Sequence, residues 1–156
     1  MEKPTTREDE AAIHAVIEAG AKALRALDAD GVMAGCAPDL RTFECHSAFE
    51  LRGSDAYRAF LEACFPFMRA PMSFEIEDLE IAAACGVGFC HYVARCVATA
   101  PDGAEHASVL RVTSGFRKEG GKWLTTHVHI SAPFNPMTEK TMLDGKSLTE
   151  EDYNEA

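Results

Sequence analysis

Apolar residues in the first part of the chain recur at the three- and four-residue spacing of an α-helix. This pattern predicts a helix over residues 6–28 with one buried stripe, capped at its start by Thr5 or Thr6. A second amphipathic stretch covers residues 55–65 and follows Ser54, whose hydroxyl suits a helix N-cap. The chain therefore begins with helices that each have one face to bury.

Alternation of apolar and polar residues, which is typical of β-strands, replaces the helical spacing further along the chain. It predicts one short strand and then four longer ones: residues 40–46, 72–84, 87–99, 106–117 and 122–132. The last two form a hairpin around Gly120-Gly121. In the first long strand the apolar phase slips by one residue at Glu77-Asp78, which predicts a β-bulge.

The order of these elements predicts an α+β fold in which a curved antiparallel sheet wraps around the N-terminal helices. Such a cone leaves a pocket between the helices and the sheet. The long strands carry apolar residues on both faces; for example, Phe89 and Val93 oppose Tyr92 and Cys96. One layer of helices covers only one face, so we expect a homo-oligomer, in the first place a dimer, built on the other.

Composition narrows the class of protein. The 156 residues carry a formal net charge of −10, which argues against nucleic acid and anionic membranes as partners. The sequence has no run of apolar residues long enough for a membrane span. The polar, acidic N-terminus does not resemble a secretory leader. We therefore expect a cytoplasmic protein whose six cysteines are reduced and mostly buried thiols.

Two histidines stand two residues apart in the last strand, where alternation places His127 and His129 on the same face as the single tryptophan. This spacing can chelate zinc, but a metal site needs further ligands, and only His46, His91 and Cys45 are available. We expect no metal and no cofactor. We interpret the pair as a polar face at a pocket mouth or at an oligomer interface.

Charged residues interrupt two apolar strands. Glu44 lies between Phe43 and Cys45 and is either a carboxylate at the rim of the sheet or an acid inside the pocket. Arg95 interrupts the run FCHYVARCVA; it is either paired with a carboxylate or binds an anion, which a guanidinium recognises well. His91 precedes Arg95 by four residues and so shares its strand face.

Three strings carry a family resemblance: GKWLTTHVHISAP, APDLRTFECHSAF and RGSDAYRAFLEA. They resemble the SnoaL-like branch of the nuclear transport factor 2-like superfamily, and in particular the association domain of calcium/calmodulin-dependent protein kinase II. The resemblance implies a cone-shaped, cystatin-like barrel, an oligomer and a pocket. It also implies a single domain over residues 1–134, followed by an acidic tail over residues 135–156.

The same resemblance assigns residues to the site. An ungapped match places the pocket arginine of the association domain at Arg95, while a second pocket arginine falls on Ser114 and is missing here. In the steroid isomerases of the superfamily, the position of the catalytic base matches Glu44 of this chain. The position of their hydroxyl donor on the first helix matches Gly20. The pocket is therefore expected to hold one arginine and one carboxylate, without that hydroxyl donor.

Two functions are compatible with these residues. In the first, the protein is an oligomeric binding module whose apolar pocket holds a small carboxylate or a similar anion. The residues expected at the ligand are one cation, one carboxylate and four histidines: Arg95, Glu44, His46, His91, His127 and His129. In the alternative, an isomerase, cyclase or dehydratase uses Glu44 as its general base. A contact between Glu44 and Arg95 would occupy the base, whereas a free Glu44 in an apolar pocket would favour the enzyme.

Overall fold

The computed structural model describes residues 7–154, so the helix cap expected at Thr5 or Thr6 lies outside the described residues. In this part of the chain the helical elements are α1 (Arg7–Arg25), α2 (Ala29–Met33), α3 (Ser54–Cys64), a 3-10 turn (Phe65–Phe67) and α4 (Glu150–Asn154). The two predicted helices thus correspond to α1 and α3. None of the helices in these residues is both long enough and apolar enough to cross a membrane.

Six strands form one large sheet in the order β2-β1-β6-β5-β4-β3. Their bounds are β1 (Cys36–Phe43), β2 (Leu51–Arg52), β3 (Arg69–Ala84), β4 (Val87–Thr99), β5 (Glu105–Glu119) and β6 (Lys122–Ser131). The α+β fold with a curved sheet over N-terminal helices is confirmed. The sheet is mixed, because β1 runs parallel to β6, and within the described residues it stays open, with β2 and β3 as its edges.

The chain after residue 131 forms a small separate hairpin of β7 (Phe134–Asn135) and β8 (Lys140–Thr141), and then α4. This segment folds back on the sheet, since the backbone N–H of Val109 in β5 donates to the carbonyl of Leu143 at 2.8 Å. The division of the chain at residue 134 into a domain and a tail stays a prediction.

The sheet has several register shifts, and two of them are bulges that bear on the predicted alternation. The slip predicted at Glu77-Asp78 is confirmed, because the pairing of β3 with β4 shifts there and Asp78 adopts a positive φ of 53°. A second bulge was not predicted. Phe116 pairs with Thr125 while Gly115 pairs with His127, so Thr126 is an extra residue in β6.

The second bulge corrects the predicted alternation along β6. Trp123, on one side of the bulge, is buried at 4% exposure in the core against α1. His127 and His129, on the other side of it, flank the ring of Phe43 on the opposite face. The prediction that the tryptophan and the two histidines share a face is therefore wrong, because one inserted residue inverts a strand's alternation.

The core lies between α1 and the inner face of the sheet, which we define as the face that α1 covers. It is built on a cluster of buried side chains: Ile13, Ile17, Ala83, Cys90, Phe116 and Trp123. Ile13 and Ile17 belong to the predicted helical stripe, and burying a side chain of this size contributes about 1.5–3 kcal/mol. The indole N–H of Trp123 donates to Oδ1 of Asp9 at 3.2 Å, which fixes the start of α1 to the hairpin.

Candidate functional site

A cavity of about 370 Å³ lies between α3, the end of α1 and the inner face of the sheet; we call it the main cavity. Aromatic and sulfur-containing side chains make up much of its wall: Tyr57, Phe60, Phe65, Met68, Met72, Phe74 and Cys96. Its polar lining includes one carboxylate, Glu44, and two histidines, His46 and His106. An apolar wall with a few convergent polar groups is the usual composition of a small-molecule site.

A smaller space of about 140 Å³, the inner chamber, adjoins the main cavity and extends from it toward the start of α1. The two spaces share several wall residues: Leu24, Tyr57, Phe74, Leu110 and Ile130. Gly20 of α1 lines the inner chamber on its helical side. No lysine or arginine among the described residues lines either space. A ligand that extends past Tyr57 would therefore enter a neutral and mostly apolar environment.

Glu44 is the carboxylate of the site, and it follows β1 directly. Thr42, two residues earlier, is fully buried, and the same alternation directs Glu44 into the main cavity. Its Oε1 atom is buried and has no hydrogen-bond partner among residues 7–154. Burial raises the pKa of Glu44, and the neighbouring Thr42 hydroxyl and His46 ring offset only part of this effect. The expected pocket acid is thus present as a carboxylate with one oxygen free of any hydrogen bond in residues 7–154.

Tyr57 of α3 stands where the main cavity meets the inner chamber. Burial raises the pKa of Tyr57, and the negative charge of Glu44 raises it further, so the phenol keeps its proton. Its hydroxyl makes no hydrogen bond within the described residues. This donor was not predicted, because Tyr57 lies in the amphipathic stretch of residues 55–65, where its ring indicates only a buried helix face. Its polar tip, which needs a partner when buried, was the available signal.

Two histidines lie at the exposed side of the main cavity. His46, expected at the site, has its ring 5.5 Å from that of Phe60, and its Nδ1 lies 3.0 Å from Oγ of Ser47. His106, in β5, lines the same cavity and was not expected there. Both side chains are in exposed positions, so solvent reaches each ring.

Arg95 is not in the pocket, and its expected position is corrected. Its Nε donates to both carboxylate oxygens of Glu77 at 2.8 Å, and its side chain is 51% exposed. Its strand neighbours Ala94 and Cys96 face inward and are buried, so alternation turns Arg95 to the outer face of the sheet. An arginine in an apolar strand is here a cross-strand partner of a carboxylate.

The remaining histidines also lie away from the main cavity. His91 shares the outer face with Arg95, as expected, and its Nε2 is 3.7 Å from a carboxylate oxygen of Glu80. The ring centroids of His127 and His129 lie 5.0 Å and 5.6 Å from that of Phe43. Among the described residues, no group of three or more His, Cys, Asp or Glu side chains is arranged to hold a metal ion.

The C-terminal segment contributes to the rim of the main cavity. Thr141 and Leu143 line it, although both belong to the part of the chain expected to be an acidic tail outside the domain. The hydrogen bond between Leu143 and Val109 holds the segment along β5, beyond the end of β6. Gly145 follows with a φ of +75°, and a Cβ there would lie 3.0 Å from Val109. Glycine allows the chain to turn against the sheet at this point.

All six cysteines are free thiols, and three of them, Cys45, Cys64 and Cys96, line the main cavity. Burial raises the pKa of Cys96 to about 11, so this thiol is protonated at neutral pH. Burial also raises the pKa of Cys45 and Cys64. These thiols therefore act as apolar wall and not as nucleophiles.

Comparison with known proteins places the fold. The SnoaL-like domain family matches residues 13–135. An NTF2-like protein of unknown function from Pseudomonas putida KT2440 is 33% identical, with a TM-score of 0.83 over 92% of this chain and 99% of that chain. A candidate scytalone dehydratase from Novosphingobium aromaticivorans is 15% identical, with a TM-score of 0.74 over 90% and 96% of the two chains.

The association domain of the calcium/calmodulin-dependent protein kinase II of Caenorhabditis elegans is 15% identical, with a TM-score of 0.65 over 80% of this chain and 96% of that domain. At such identities the likeness shows the fold alone. No curated protein matches the chain. The family match and the 33% identical relative confirm the resemblance that the three sequence strings carry. The chain belongs to the SnoaL-like domain family.

Proposed function

We propose that the protein is an enzyme of the isomerase, cyclase or dehydratase type that uses Glu44 as its general base on a neutral, largely apolar substrate. The observation that carries this proposal is the Glu44 carboxylate in a mostly apolar cavity, where its Oε1 atom has no hydrogen-bond partner among residues 7–154. Unpaired buried carboxylates are costly for a fold and are concentrated at catalytic sites. The separation of Glu44 from Arg95, which pairs with Glu77, favours this function over anion binding.

The environment of Glu44 suits proton abstraction. Burial raises its pKa, so its carboxylate is a stronger base than a solvated one and is better matched to neutral pH. Because the cavity wall carries no arginine or lysine in the described residues, no cation holds the carboxylate in a salt bridge. The same lack of a cation makes a small carboxylate a poor ligand for this cavity and a neutral molecule a suitable one.

Tyr57 supplies a hydrogen-bond donor to the site, a role that Gly20 cannot fill because glycine has no hydroxyl. When Glu44 takes a proton from the carbon next to a carbonyl, the electron pair moves to the carbonyl oxygen. A neutral phenol with no hydrogen-bond partner among residues 7–154 can donate a hydrogen bond to that developing oxyanion. Return of the proton to another carbon completes an isomerisation. Loss of a β-hydroxyl as water, with a proton from His46 or His106, completes a dehydration.

The test measures proton abstraction directly. A ketone probe, 4-phenylcyclohexanone, is incubated in deuterium oxide and the loss of its α-protons is followed by NMR. We expect exchange faster than in buffer alone, and about a hundredfold or greater loss of this acceleration in Glu44→Gln. Glu77→Gln, which removes a carboxylate from the outer face, is the matched control and should exchange like wild type. Exchange no faster than buffer, or undiminished in Glu44→Gln, would reject the proposal.

We further propose that the outer face of the sheet forms a homodimer. Two apolar residues of β4 stand exposed there, Val87 at 59% and Phe89 at 49%. A face that combines such residues with paired charges, as at Arg95 and Glu77, is suited to a partner of the same kind. The similar fold of the association domain from Caenorhabditis elegans supports the proposal.

A further inference from the structure

We propose that the inner chamber binds a ring-sized apolar group of the ligand, and that Gly20 determines this specificity by leaving the chamber open. The ligand would then be a neutral cyclic or aryl ketone whose carbonyl part occupies the main cavity beside Glu44 and Tyr57. That this ligand is a substrate rests on the proposed function. Occupation of the chamber by the ring depends on binding alone.

Gly20 has no local reason to be a glycine. It lies inside α1, where glycine costs about 1 kcal/mol relative to alanine. Apart from its chain neighbours and the backbone of its own helix, a Cβ built on Gly20 would meet no atom of residues 7–154 within 4 Å. At Gly88, by contrast, a Cβ would lie 2.6 Å from Cδ1 of Ile13, so close packing explains that glycine. Glycine at position 20 leaves empty space in the wall of the inner chamber, and it also lines a second, more open pocket beside α1.

The size and the wall of the chamber indicate its occupant. Its volume is about 140 Å³, and an apolar protein cavity of about 150 Å³ is known to bind benzene. Most of the wall is aliphatic or aromatic, with Val16, Val112 and Val128 among its members. The hydroxyl of Ser114 is already engaged with Cys90. Tyr92 makes no hydrogen bond within the described residues, so the bound ring can carry one oxygen substituent.

The inner chamber shares part of its wall with the main cavity, where Glu44 lies. Tyr57 belongs to both walls, so a ring in the chamber and a carbonyl near Glu44 are held by one continuous surface. Leu24, Phe74 and Leu110 belong to the same shared wall. An apolar group anchored beyond Tyr57 would therefore orient the reacting part of the ligand without any charged contact.

The proposal can be tested by substitutions that fill the inner chamber with a side chain. Gly20→Leu places a side chain in the open space and improves helix propensity, so the fold should be retained. Gly20→Ala adds a single methyl group and should have a smaller effect. Glu18→Leu adds the same leucine to an exposed position of α1 and serves as the control. Thermal unfolding of each variant verifies the fold; if Gly20→Leu loses its transition, Gly20→Ala decides the question.

The two probes are cyclohexanone and 4-phenylcyclohexanone, and their dissociation constants are measured by NMR titration. We expect wild type and Glu18→Leu to bind the phenyl-bearing ketone at least about tenfold more tightly, as burial of a ring predicts. Gly20→Leu should reduce that ratio below about threefold and leave cyclohexanone unchanged. An equal ratio in wild type and Gly20→Leu, or no phenyl preference in wild type, would overturn the proposal. The two proposals can fail separately. If Gly20→Leu removes the phenyl preference in binding but Glu44→Gln does not slow α-proton exchange, the enzyme proposal is rejected and the ring-binding role of the chamber stands.

Discussion

Glu44 and Arg95 lie on opposite sides of the sheet. The guanidinium Nε of Arg95 is 2.8 Å from both carboxylate oxygens of Glu77 on the outer face, while Glu44 opens into the main cavity. The arginine therefore neither neutralises Glu44 nor lowers its pKa, which burial raises. An anion-binding pocket would need the arginine inside it, whereas a general base needs its carboxylate apart from the arginine.

The stability of the protein should depend on pH through Glu44. Its pKa is higher in the folded than in the unfolded chain, so the folded state loses stability as pH rises through the folded value. We expect Glu44→Gln to unfold with about 1 kcal/mol more stability than wild type near pH 8, and with equal stability near pH 4. Urea titrations at several pH values measure the difference. A variant less stable than wild type at the higher pH would show that the carboxylate has a stabilising partner.

Loss of the Tyr57 hydroxyl should slow catalysis more than binding. In Tyr57→Phe we expect α-proton exchange to fall about a hundredfold, as for other oxyanion donors, because the enolate loses its hydrogen bond. The affinity for 4-phenylcyclohexanone should change less than about threefold, since the ring and its wall contacts stay. Tyr153→Phe, at an exposed position, is the control. Unchanged exchange in Tyr57→Phe would remove this residue from the mechanism.

Arg95 should be dispensable for ligand binding. Its ion pair with Glu77 is half exposed, and such pairs contribute about 0–1 kcal/mol. We expect Arg95→Ala to lower the free energy of unfolding by no more than about 1 kcal/mol and to leave the ketone dissociation constants unchanged. Chemical denaturation and NMR titration provide the two measurements. A tenfold loss of ligand affinity would return Arg95 to the site and contradict the present geometry.

The outer face can be tested through oligomeric state. The chain mass is 16.9 kDa, so a dimer has a mass of twice that value. We expect wild type to scatter light as a dimer at micromolar concentration and Phe89→Asp to scatter as a monomer, because a charge would replace an exposed apolar contact. Phe134→Asp is a control, since Phe134 is exposed but lies in the small hairpin outside the large sheet. A monomeric wild type would reject the interface.

The thiols should differ sharply in reactivity. Cys85 is the exposed cysteine, whereas burial raises the pKa of Cys36, Cys90 and Cys96 to about 11. Thiolates are the reactive form, so we expect iodoacetamide at pH 8 to modify about one thiol per folded chain quickly. Peptide mass mapping identifies it, and Cys85→Ser should remove the fast phase. Rapid modification of Cys96 would show that the main cavity opens readily to solvent.

Sequence patterns predicted the elements that have one clear face. The stripe through Ile13 and Ile17 and the slip at Glu77-Asp78 both appear in the structure. Each rests on a local rule of periodicity, which a single sequence displays. The parallel pairing of β1 with β6 was not predicted, because it joins residues far apart in the chain.

The site was harder to predict for identifiable reasons. Strand β4 carries apolar residues on both faces, so alternation shows that Arg95 and Cys96 face opposite ways without showing which way is inward. The inserted residue Thr126 is not visible in the pattern, yet it decides the side on which His127 lies. The position of His106 in the cavity wall depends on sheet curvature, which no local pattern encodes.

Trp123 gives the protein a built-in optical reporter. It is the only tryptophan, it is 4% exposed, and its indole N–H is bound to Asp9 of α1. It lines neither the main cavity nor the inner chamber. Its fluorescence emission should therefore not change when a ligand binds. The emission maximum should shift to longer wavelength only when α1 separates from the hairpin and exposes the indole to water. Detachment of the first helix can thus be timed separately from events at the site, in the unlabelled protein.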